Sequence, residues 1–408
     1  MTTSHTITAR WIFPVSSPPL LNGTITLRGE TIEAVSPRGD RTPDEDLGNA
    51  AIIPGLVNAH THLDLSGARA QIPPTDPEHF TDWLRGVIAY RRSRSLEQVR
   101  TDIQTGLSEC LRCGTTLLGD ITADGGGSWE AIAAERVRGV VFRELIGLNA
   151  ERAEAARIAG WKWYQAHPAT TTCKPALSPH SPYSARESLL NGVYERATVA
   201  IHLAESPGEM ELIRSHSGPF VLFLQQLGAW DESGLIRSID GIIAAHRSMG
   251  TTLFIHGNYL QPEVVQSFTP GMSIVYCPRT HAAFKHPPHP FREFLARGAR
   301  VCLGTDSLAS NPDLDIIAEA RLVHQLFPDF PGDQLLRMVT LSGAEALGWS
   351  DMCGSLEVGK SADLVVVPLP DREADPHELL LANHSGERRT MFRGEWREYS
   401  KVEVGTKQ

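Results

Sequence analysis

The feature of the sequence that most constrains the fold is a unit that recurs from Ile52 onward. Each unit consists of a short β-rich run, a polar loop and a longer segment with helical spacing. Near-continuous apolar runs that alternate with amphipathic segments are typical of parallel strands covered by helices on both faces. Eight such units predict an α/β protein with the fold of a (β/α)8 TIM barrel. The eight β-rich runs are AIIPGLVNAHTH, TTLLGDIT, VRGVVFREL, KPALSPHS, TVAIHLAES, TTLFIHGN, MSIVYCP and RVCLGTDS.

The two ends of the chain have a different pattern. Residues 1–50 and 354–408 alternate apolar and polar positions and are interrupted by glycine turns. This pattern is typical of short, half-buried antiparallel strands. We therefore expect a small composite β-sandwich domain built from residues 1–53 and 354–408, and a barrel domain that spans residues 54–353.

The composition argues against several classes of partner. The formal net charge is −10 at pH 7, and lysine and arginine are spread along the chain without a basic stripe that could follow a nucleic-acid backbone. No apolar run reaches the roughly 20 residues that a membrane-spanning helix needs. The first residues, MTTSHTITARWIFPVSS, lack the pattern of a secretory signal. We expect a cytoplasmic protein that acts on a small molecule, without a nucleic-acid or membrane partner.

Histidines and one aspartate occupy the ends of several predicted strands. His60 and His62 are two residues apart, so their rings point to the same face of a strand. Such a pair alone is weak evidence, but His202, His256 and Asp306 each end a different predicted strand. The carboxyl ends of barrel strands form the catalytic face. Imidazoles and a carboxylate that converge there predict a catalytic zinc or iron site rather than unrelated polar strand ends.

The arrangement of these stretches resembles that of a known family. The stretches are PGLVNAHTHLDLS, LSPHSPYSA, IHLAES, FIHGNYL, LGTDSLASN and GSLEVGKSADLVVV, and they cover nearly the whole chain. In order and spacing they are similar to the metal-dependent amidohydrolase superfamily, in its branch of nucleoside and nucleobase deaminases and triazine chlorohydrolases. The resemblance implies a TIM barrel with a composite β domain from both termini, and homodimers are common among such relatives.

The resemblance also implies a ligand set and catalytic roles. Glu205 would be the proton shuttle, His256 would orient the attacking water or the substrate, and Asp306 would accept a proton from that water. A helix begins after Glu205, so a helix-capping carboxylate is the alternative interpretation of this residue. Lys174 lies at the wrong end of its strand to bridge a second metal. One divalent metal, Zn²⁺ or Fe²⁺, would be held by His60, His62, His202 and Asp306.

Three further residues match substrate contacts of related deaminases. His180 ends the fourth predicted strand, and Asp82 and Trp83 lie in HFTDWL after a long proline-rich loop. In relatives the matching positions approach the base or the sugar. His180 could instead be a hydrogen-bonded histidine at a strand end, and Trp83 could be a core residue.

The stretch after the seventh strand departs from that of S-adenosylhomocysteine deaminases. It reads VYCPRTHAAFKHPPHPF where those enzymes have a stretch of the type HNPxSN. Arg279 and His281 in this stretch, with Arg143 near the end of the third predicted strand, could clamp a substrate carboxylate, although surface ion pairs are the alternative. The stretch is similar to aminodeoxyfutalosine deaminases of the menaquinone pathway. Alternatives are an S-adenosylhomocysteine or adenosine deaminase, a nucleobase or pterin deaminase, a chlorohydrolase, or a scaffold without activity.

Overall fold

A computed structural model describes the chain. The described residues are 4–123, 127–192, 197–248, 250–384 and 386–398. The chain divides into two compact units, residues 1–55 with 355–408 and residues 56–354. Parts of the predicted β domain, residues 1–3 and 399–408, lie outside the described residues.

The described residues form strands and helices in the following order. The strands are β1 Ser4–Thr8, β2 Trp11–Ile12, β3 Leu20–Leu21, β4 Thr24–Arg28, β5 Thr31–Ser36, β6 Glu45–Asp46, β7 Ala50–Pro54, β8 Leu56–Thr61, β9 Thr115–Thr122, β10 Arg138–Leu145, β11 Cys173–Pro179, β12 Thr198–Leu203, β13 Thr251–His256, β14 Met272–Tyr276, β15 Arg300–Leu303, β16 Leu364–Pro368, β17 Arg389–Phe392 and β18 Glu395–Trp396. The helices are α1 Phe80–Ser93, α2 Leu96–Arg112, α3 Ser128–Ala134, α4 Ala150–Ala166, α5 Glu187–Leu190, α6 Pro207–Ser215, α7 Pro219–Gln226, α8 Ile239–His246, α9 Pro278–Ala283, α10 Phe291–Ala296, α11 Ile316–Leu326, α12 Gly332–Met338, α13 Leu341–Ala346 and α14 Pro376–Leu381. Short 3₁₀ helices lie at Leu63–Ala68, Pro77–His79, Glu232–Gly234 and Pro262–Ser267.

The larger unit is a parallel β-barrel surrounded by helices. Strands β8 to β15 form one eight-stranded sheet in which neighbours follow the chain order, and every pairing is parallel. The backbone N–H of Asp306, which follows β15, donates a 3.0 Å hydrogen bond to the carbonyl of His60 in β8. This contact joins the last strand to the first. The predicted (β/α)8 TIM barrel is confirmed, and all eight β-rich runs supply its strands.

The barrel strands are apolar because both of their faces are covered. All eight residues of β9 and all eight of β10 are buried, as expected for parallel strands between a packed interior and a helical layer. Helix α2 shows why the intervening segments are helical. It begins with a capping box between Ser95 and Gln98, and it buries Ile103, Leu107 and Cys110 on one face.

The described residues of the smaller unit form two sheets. The first has the strand order β5-β4-β1-β6 and the second has the order β18-β17-β16-β7-β2-β3. Their apolar side chains, among them Ile7, Ile25, Ile52 and Leu364, belong to one buried cluster. Strand β16, from the second half of the chain, pairs antiparallel with β7 from the first half. Both ends of the chain therefore contribute to one β unit.

None of the described helices is both long enough and apolar enough to cross a lipid bilayer.

Gly304 provides a test of the barrel closure. A Cβ atom at this position would lie 2.8 Å from His60 Cβ and 3.0 Å from Val275 Cγ1. The Gly304→Ala variant should therefore lower the free energy of unfolding by about 1–3 kcal/mol, because a close-packed contact is overfilled. Gly250→Ala is the matched control, since a Cβ there meets no atom within 4 Å. Urea denaturation checks both variants, and equal stabilities would contradict the proposed packing between β15 and β8.

Candidate active site

Three histidine side chains meet at the carboxyl ends of the barrel strands. His60 lies in β8, His62 follows this strand directly, and His202 lies in β12. One ring nitrogen of each lies within 4.8 Å of those of the other two, and the Nε2 atoms of His62 and His202 are 3.2 Å apart. The three residues are 1%, 7% and 3% exposed. The cluster is therefore enclosed in protein.

The carboxylate of Asp306 lies against this cluster. Its Oδ1 atom is 3.6 Å from His60 Nε2 and 4.0 Å from His62 Nε2. The hydroxyl of Ser310 donates a 3.0 Å hydrogen bond to Oδ2, which leaves Oδ1 toward the imidazoles. Burial by itself would raise the pKa of Asp306, but the adjacent His60 holds that pKa below its ordinary value. Asp306 is therefore ionised at neutral pH.

The donor set fits a divalent transition metal. Within the described part of the chain, His60 Nε2 is buried and has no hydrogen-bond partner. His202 Nδ1 donates to the carbonyl of His180, which leaves the Nε2 lone pair facing His62. Burial and the neighbouring imidazoles hold the pKa values of His62 and His202 well below the ordinary value, so both rings are neutral. Three imidazole nitrogens and one carboxylate suit Zn²⁺ or Fe²⁺.

A second pair of side chains lies beside the cluster. His256 ends β13, and its Nε2 atom is 3.2 Å from Glu205 Oε1. Burial, together with the charges of Asp306 and Glu209, raises the pKa of Glu205 well above its ordinary value. Burial also lowers the pKa of His256 well below its ordinary value. Glu205 therefore retains a proton that it can give to a substrate, which is the property of a general acid.

The helix that follows Glu205 is capped by other residues. The hydroxyl of Ser206 accepts a hydrogen bond from the N–H of Glu209 at the start of α6. The carboxylate of Glu209 accepts 2.8 Å hydrogen bonds from the backbone N–H groups of Ala204 and Glu205. The side chain of Glu205 is thus not the cap of this helix. Glu209, which no sequence pattern had singled out, holds the turn that presents Glu205.

A cavity of about 50 Å³ lies at the mouth of the barrel, and its wall includes His62, His202, Glu205, His256 and Asp306. Trp83 and His180, both predicted to contact substrate, lie in its wall. Trp83 Nε1 is buried without a hydrogen-bond partner among the described residues. The Nδ1 atom of His180 is 2.7 Å from the hydroxyl of Ser184. The structure therefore brings both predicted residues to the same cavity as the histidine cluster.

Asp82 and Arg143 do not lie in the wall of this cavity. Asp82 is exposed and pairs with Arg85 one turn along α1. Arg143 precedes Glu144 in β10, and adjacent residues of a strand point to opposite faces. Arg143 lines a groove formed by α2, α3 and α4 instead. The resemblance predicts Asp82 near the substrate, and its position near a strand end predicts Arg143 there, but neither side chain reaches this cavity.

Arg279 and His281 are engaged with other parts of the protein. The guanidinium of Arg279 forms two hydrogen bonds to the carboxylate of Asp313, and His281 Nε2 donates to the carbonyl of Pro287. Neither residue lies in the cavity wall. Neither Arg143 nor Arg279 lines this cavity, and Arg279 forms the ion pair that was the alternative, so the carboxylate clamp stays a prediction.

Arg91 is a cation in the cavity wall that the sequence motifs did not indicate. Its Nε atom is 3.1 Å from Asp64 and its Nη1 atom is 3.3 Å from Glu144. Burial raises the pKa of Asp64. Burial would also raise the pKa of Glu144, but Arg91 and His180 hold it below its ordinary value. The sequence indicates this position of Arg91 only through helical spacing, since Arg91 follows Trp83 by two turns on the same face of α1.

Lys174 lies far from the histidine cluster. It is near the start of β11, whereas His180 follows the opposite end of this strand. Its ammonium group donates a 2.6 Å hydrogen bond to the carbonyl of Gly348 and lies 4.1 Å from the ring centre of Trp349. This position agrees with a site for a single metal.

The fold and the site together define a class of protein. A parallel barrel with three histidines, an aspartate and an acid–base pair at the carboxyl ends of its strands is the arrangement of a TIM-barrel metallohydrolase. The model of the amidohydrolase family matches residues 51–398. The chain belongs to the amidohydrolase family, and it is a hydrolase that acts on C–N bonds other than peptide bonds.

Known proteins resemble the chain over most of its length. A 5-methylthioadenosine/S-adenosylhomocysteine deaminase of Moorella thermoacetica is 30% identical over 395 residues, which cover 91% of this chain and 87% of the relative. The structure of the Helicobacter pylori aminofutalosine deaminase in complex with methylthio-coformycin has a TM-score of 0.84 at 22% identity and covers 97% of this chain and 100% of its own. An adenosine deaminase from Xanthomonas campestris with bound zinc has a TM-score of 0.76 at 23% identity, with coverages of 96% and 92%. The two structures support the fold.

The buried contacts of Arg91 with Asp64 and Glu144 should stabilise the fold. The Arg91→Met variant should lower the free energy of unfolding by about 3–5 kcal/mol, because Asp64 and Glu144 would be left buried without their cation. Their folded pKa values would then exceed the unfolded values, so the loss should be smaller at about pH 5 than at about pH 8. Denaturant unfolding of the variant and the wild type at the two pH values measures the difference in their free energies of unfolding.

Arg85→Met is the control for Arg91→Met. Arg85 lies on the same helix, but its ion pair with Asp82 is largely exposed, so its loss should cost less than about 1 kcal/mol. Equal losses for the two variants, or a loss for Arg91→Met that does not depend on pH, would contradict the buried charge network.

Proposed function

We propose that the protein is a metal-dependent hydrolytic deaminase of a 6-aminopurine nucleoside. The observation that carries the proposal is the contact between Glu205 and His256 beside the histidine cluster, inside one buried cavity. An aromatic amine leaves as ammonia only after a ring nitrogen has received a proton. A carboxyl group that stays protonated in a buried site is suited to supply that proton.

Each side chain has a role in this proposal. His60, His62 and His202 would hold the metal together with Asp306, and a bound Zn²⁺ would lower the pKa of its water and make it a nucleophile. Asp306, which is ionised, accepts the proton of the attacking water and passes it to the amine, which leaves as ammonia. Glu205 gives its proton to the ring nitrogen next to the carbon that is attacked. His256, held against Glu205, keeps this proton aimed at the substrate.

Zinc is the metal that we propose for the site. Its coordination preference for imidazole and carboxylate matches the donor set. The similar adenosine deaminase from Xanthomonas campestris contains zinc, which supports this choice over iron.

Within the 6-aminopurine nucleosides, we propose aminodeoxyfutalosine as the substrate, which would place the protein in menaquinone synthesis. The support is the stretch CPRTHAAFKHPPHPF after β14, which departs from the HNPxSN type of the S-adenosylhomocysteine deaminases. The choice of this substrate gains no support from Arg143 and Arg279, since neither residue lines the cavity. The second candidate is 5-methylthioadenosine or S-adenosylhomocysteine, because the Moorella relative is named for them.

A substrate panel tests the proposal. Zinc-loaded protein is assayed for ammonia release from aminodeoxyfutalosine, 5-methylthioadenosine, S-adenosylhomocysteine, adenosine, guanine and cytosine. We expect the highest kcat/KM for aminodeoxyfutalosine. A higher value for 5-methylthioadenosine or S-adenosylhomocysteine would favour the second candidate, and ammonia from guanine or cytosine alone would overturn the nucleoside assignment. Chloride release from a chlorotriazine without ammonia from any purine would overturn deamination itself.

Glu205→Gln should separate proton transfer from metal binding. The variant should lower kcat by about 10²- to 10⁴-fold, because an amide does not supply the proton that the ring nitrogen needs. Its zinc content should remain that of the wild type, since Glu205 is not among the proposed ligands. Glu211→Gln, in the helix that follows Glu205 but beyond the cavity wall, is the control and should leave kcat unchanged. A Glu205→Gln variant with wild-type kcat would contradict the role of Glu205.

A further inference from the structure

The backbone at the catalytic histidine has an unusual conformation. His256 has φ = +68° and the next residue, Gly257, also has φ = +68°. A residue with a side chain seldom adopts this left-handed region, and such strain persists only where the surrounding contacts hold it. The conformation matters for the site, because the direction of the His256 ring toward Glu205 depends on it. A contact that holds the peptide between His256 and Gly257 would therefore support catalysis.

A second histidine makes such a contact. His289 lies in the loop between α9 and α10, and its Nε2 atom is 2.8 Å from the carbonyl oxygen of His256. A carbonyl only accepts hydrogen bonds, so His289 carries its proton on Nε2. Its Nδ1 atom is buried without a partner among the described residues. Burial lowers the pKa of His289 to about 3, so this single-donor form persists at neutral pH.

The ring of His289 is itself fixed by aromatic neighbours. It stacks on Tyr276 of β14 with 3.9 Å between ring centres and 18° between planes. Phe294 of α10 lies edge-on at 5.8 Å. The residue is 5% exposed. The donor is thus held at a defined place by side chains that belong to the barrel and to the next helix.

The CPRTHAAFKHPPHPF stretch, which contains His289, also contacts a residue that bonds to the proposed metal ligand Asp306. The hydroxyl of Thr280 in α9 is 3.0 Å from that of Ser310, and Ser310 donates to Asp306 Oδ2. Two separate chains of contacts therefore run from the CPRTHAAFKHPPHPF stretch to residues of the site. Both end on groups that do chemistry in the proposed reaction, and neither Thr280 nor His289 lies in the cavity wall.

We infer that His289 is a positioning residue, which holds the His256 carbonyl through its Nε2–H group and so keeps the His256 ring against Glu205. The stretch after β14 thereby acts as a support for the catalytic groups, in addition to any effect on the choice of substrate. The inference rests on the proposed function, because it assigns His256 a role in deamination.

Two variants of similar size distinguish the loss of the His289 hydrogen-bond donor from a change in side-chain volume. A glutamine side chain keeps an N–H donor at its end, whereas a methionine side chain has none, so His289→Gln and His289→Met are compared. For His289→Met we expect a kcat about 10- to 100-fold below wild type, because a displaced catalytic group loses its alignment. KM should stay within about threefold and zinc content should be unchanged. For His289→Gln we expect a kcat within about fivefold of wild type.

His286→Met is the matched control, because His286 lies in the same stretch after β14 as His289. His286 bonds to the hydroxyl of Tyr259 and not to His256, so the kcat of this variant should equal that of the wild type. Equal losses in His286→Met and His289→Met would assign the effect to general packing and overturn the inference. So would a His289→Met kcat within about twofold of wild type, or no recovery in His289→Gln.

A crystal structure of His289→Met keeps this test independent of the substrate. We expect His256 to relax toward a negative φ and its Nε2 atom to move away from Glu205 Oε1. An unchanged φ and an unchanged 3.2 Å contact would overturn the positioning role, whatever the activity. If the wild type released no ammonia from any nucleoside, the proposed function would fail, and the structure of the variant would still decide whether His289 holds His256.

Discussion

The hydrogen bond from the Asp306 backbone N–H to the His60 carbonyl is the contact on which the rest of the site depends. It joins the last barrel strand to the first, and the two residues that it links are also two of the four proposed metal ligands. The contact that closes the barrel therefore also brings these two proposed ligands together. This explains why Gly304 has no room for a side chain, since β15 must approach His60 closely at this point.

The site combines buried charged side chains with buried neutral imidazoles that are proposed to bind the metal. His62 and His202 stay neutral because burial and their neighbours lower their pKa values, and Arg91 is placed between two carboxylates. Positive φ angles at Ala204, His256 and Asp306 add backbone strain at the same place. Surrounding residues hold this strain through specific hydrogen bonds, among them those from Glu209 and His289. The reactive groups are thus positioned before substrate arrives.

Much of the fold could be predicted from the sequence, and less of the site. Eight apolar runs predicted the barrel because parallel strands are buried on both faces, and strand ends indicated His60, His62, His202 and Asp306. Substrate residues were less predictable, since Arg143 lies beside a strand end but points outward, away from the cavity. Arg91 and His289 were missed for a different reason. The only local indication of Arg91 is its helical spacing from Trp83, and the contact of His289 with His256 joins distant parts of the chain, which no local motif encodes.

We propose that one metal is held where barrel closure brings these ligands together. Anomalous diffraction at the zinc absorption edge, from crystals of zinc-loaded protein, tests it most directly. We expect one strong peak per chain, about 2.0–2.2 Å from a ring nitrogen of each of His60, His62 and His202 and from an oxygen of Asp306. A peak at another set of residues, two peaks in the barrel mouth, or none in fully loaded crystals would contradict it.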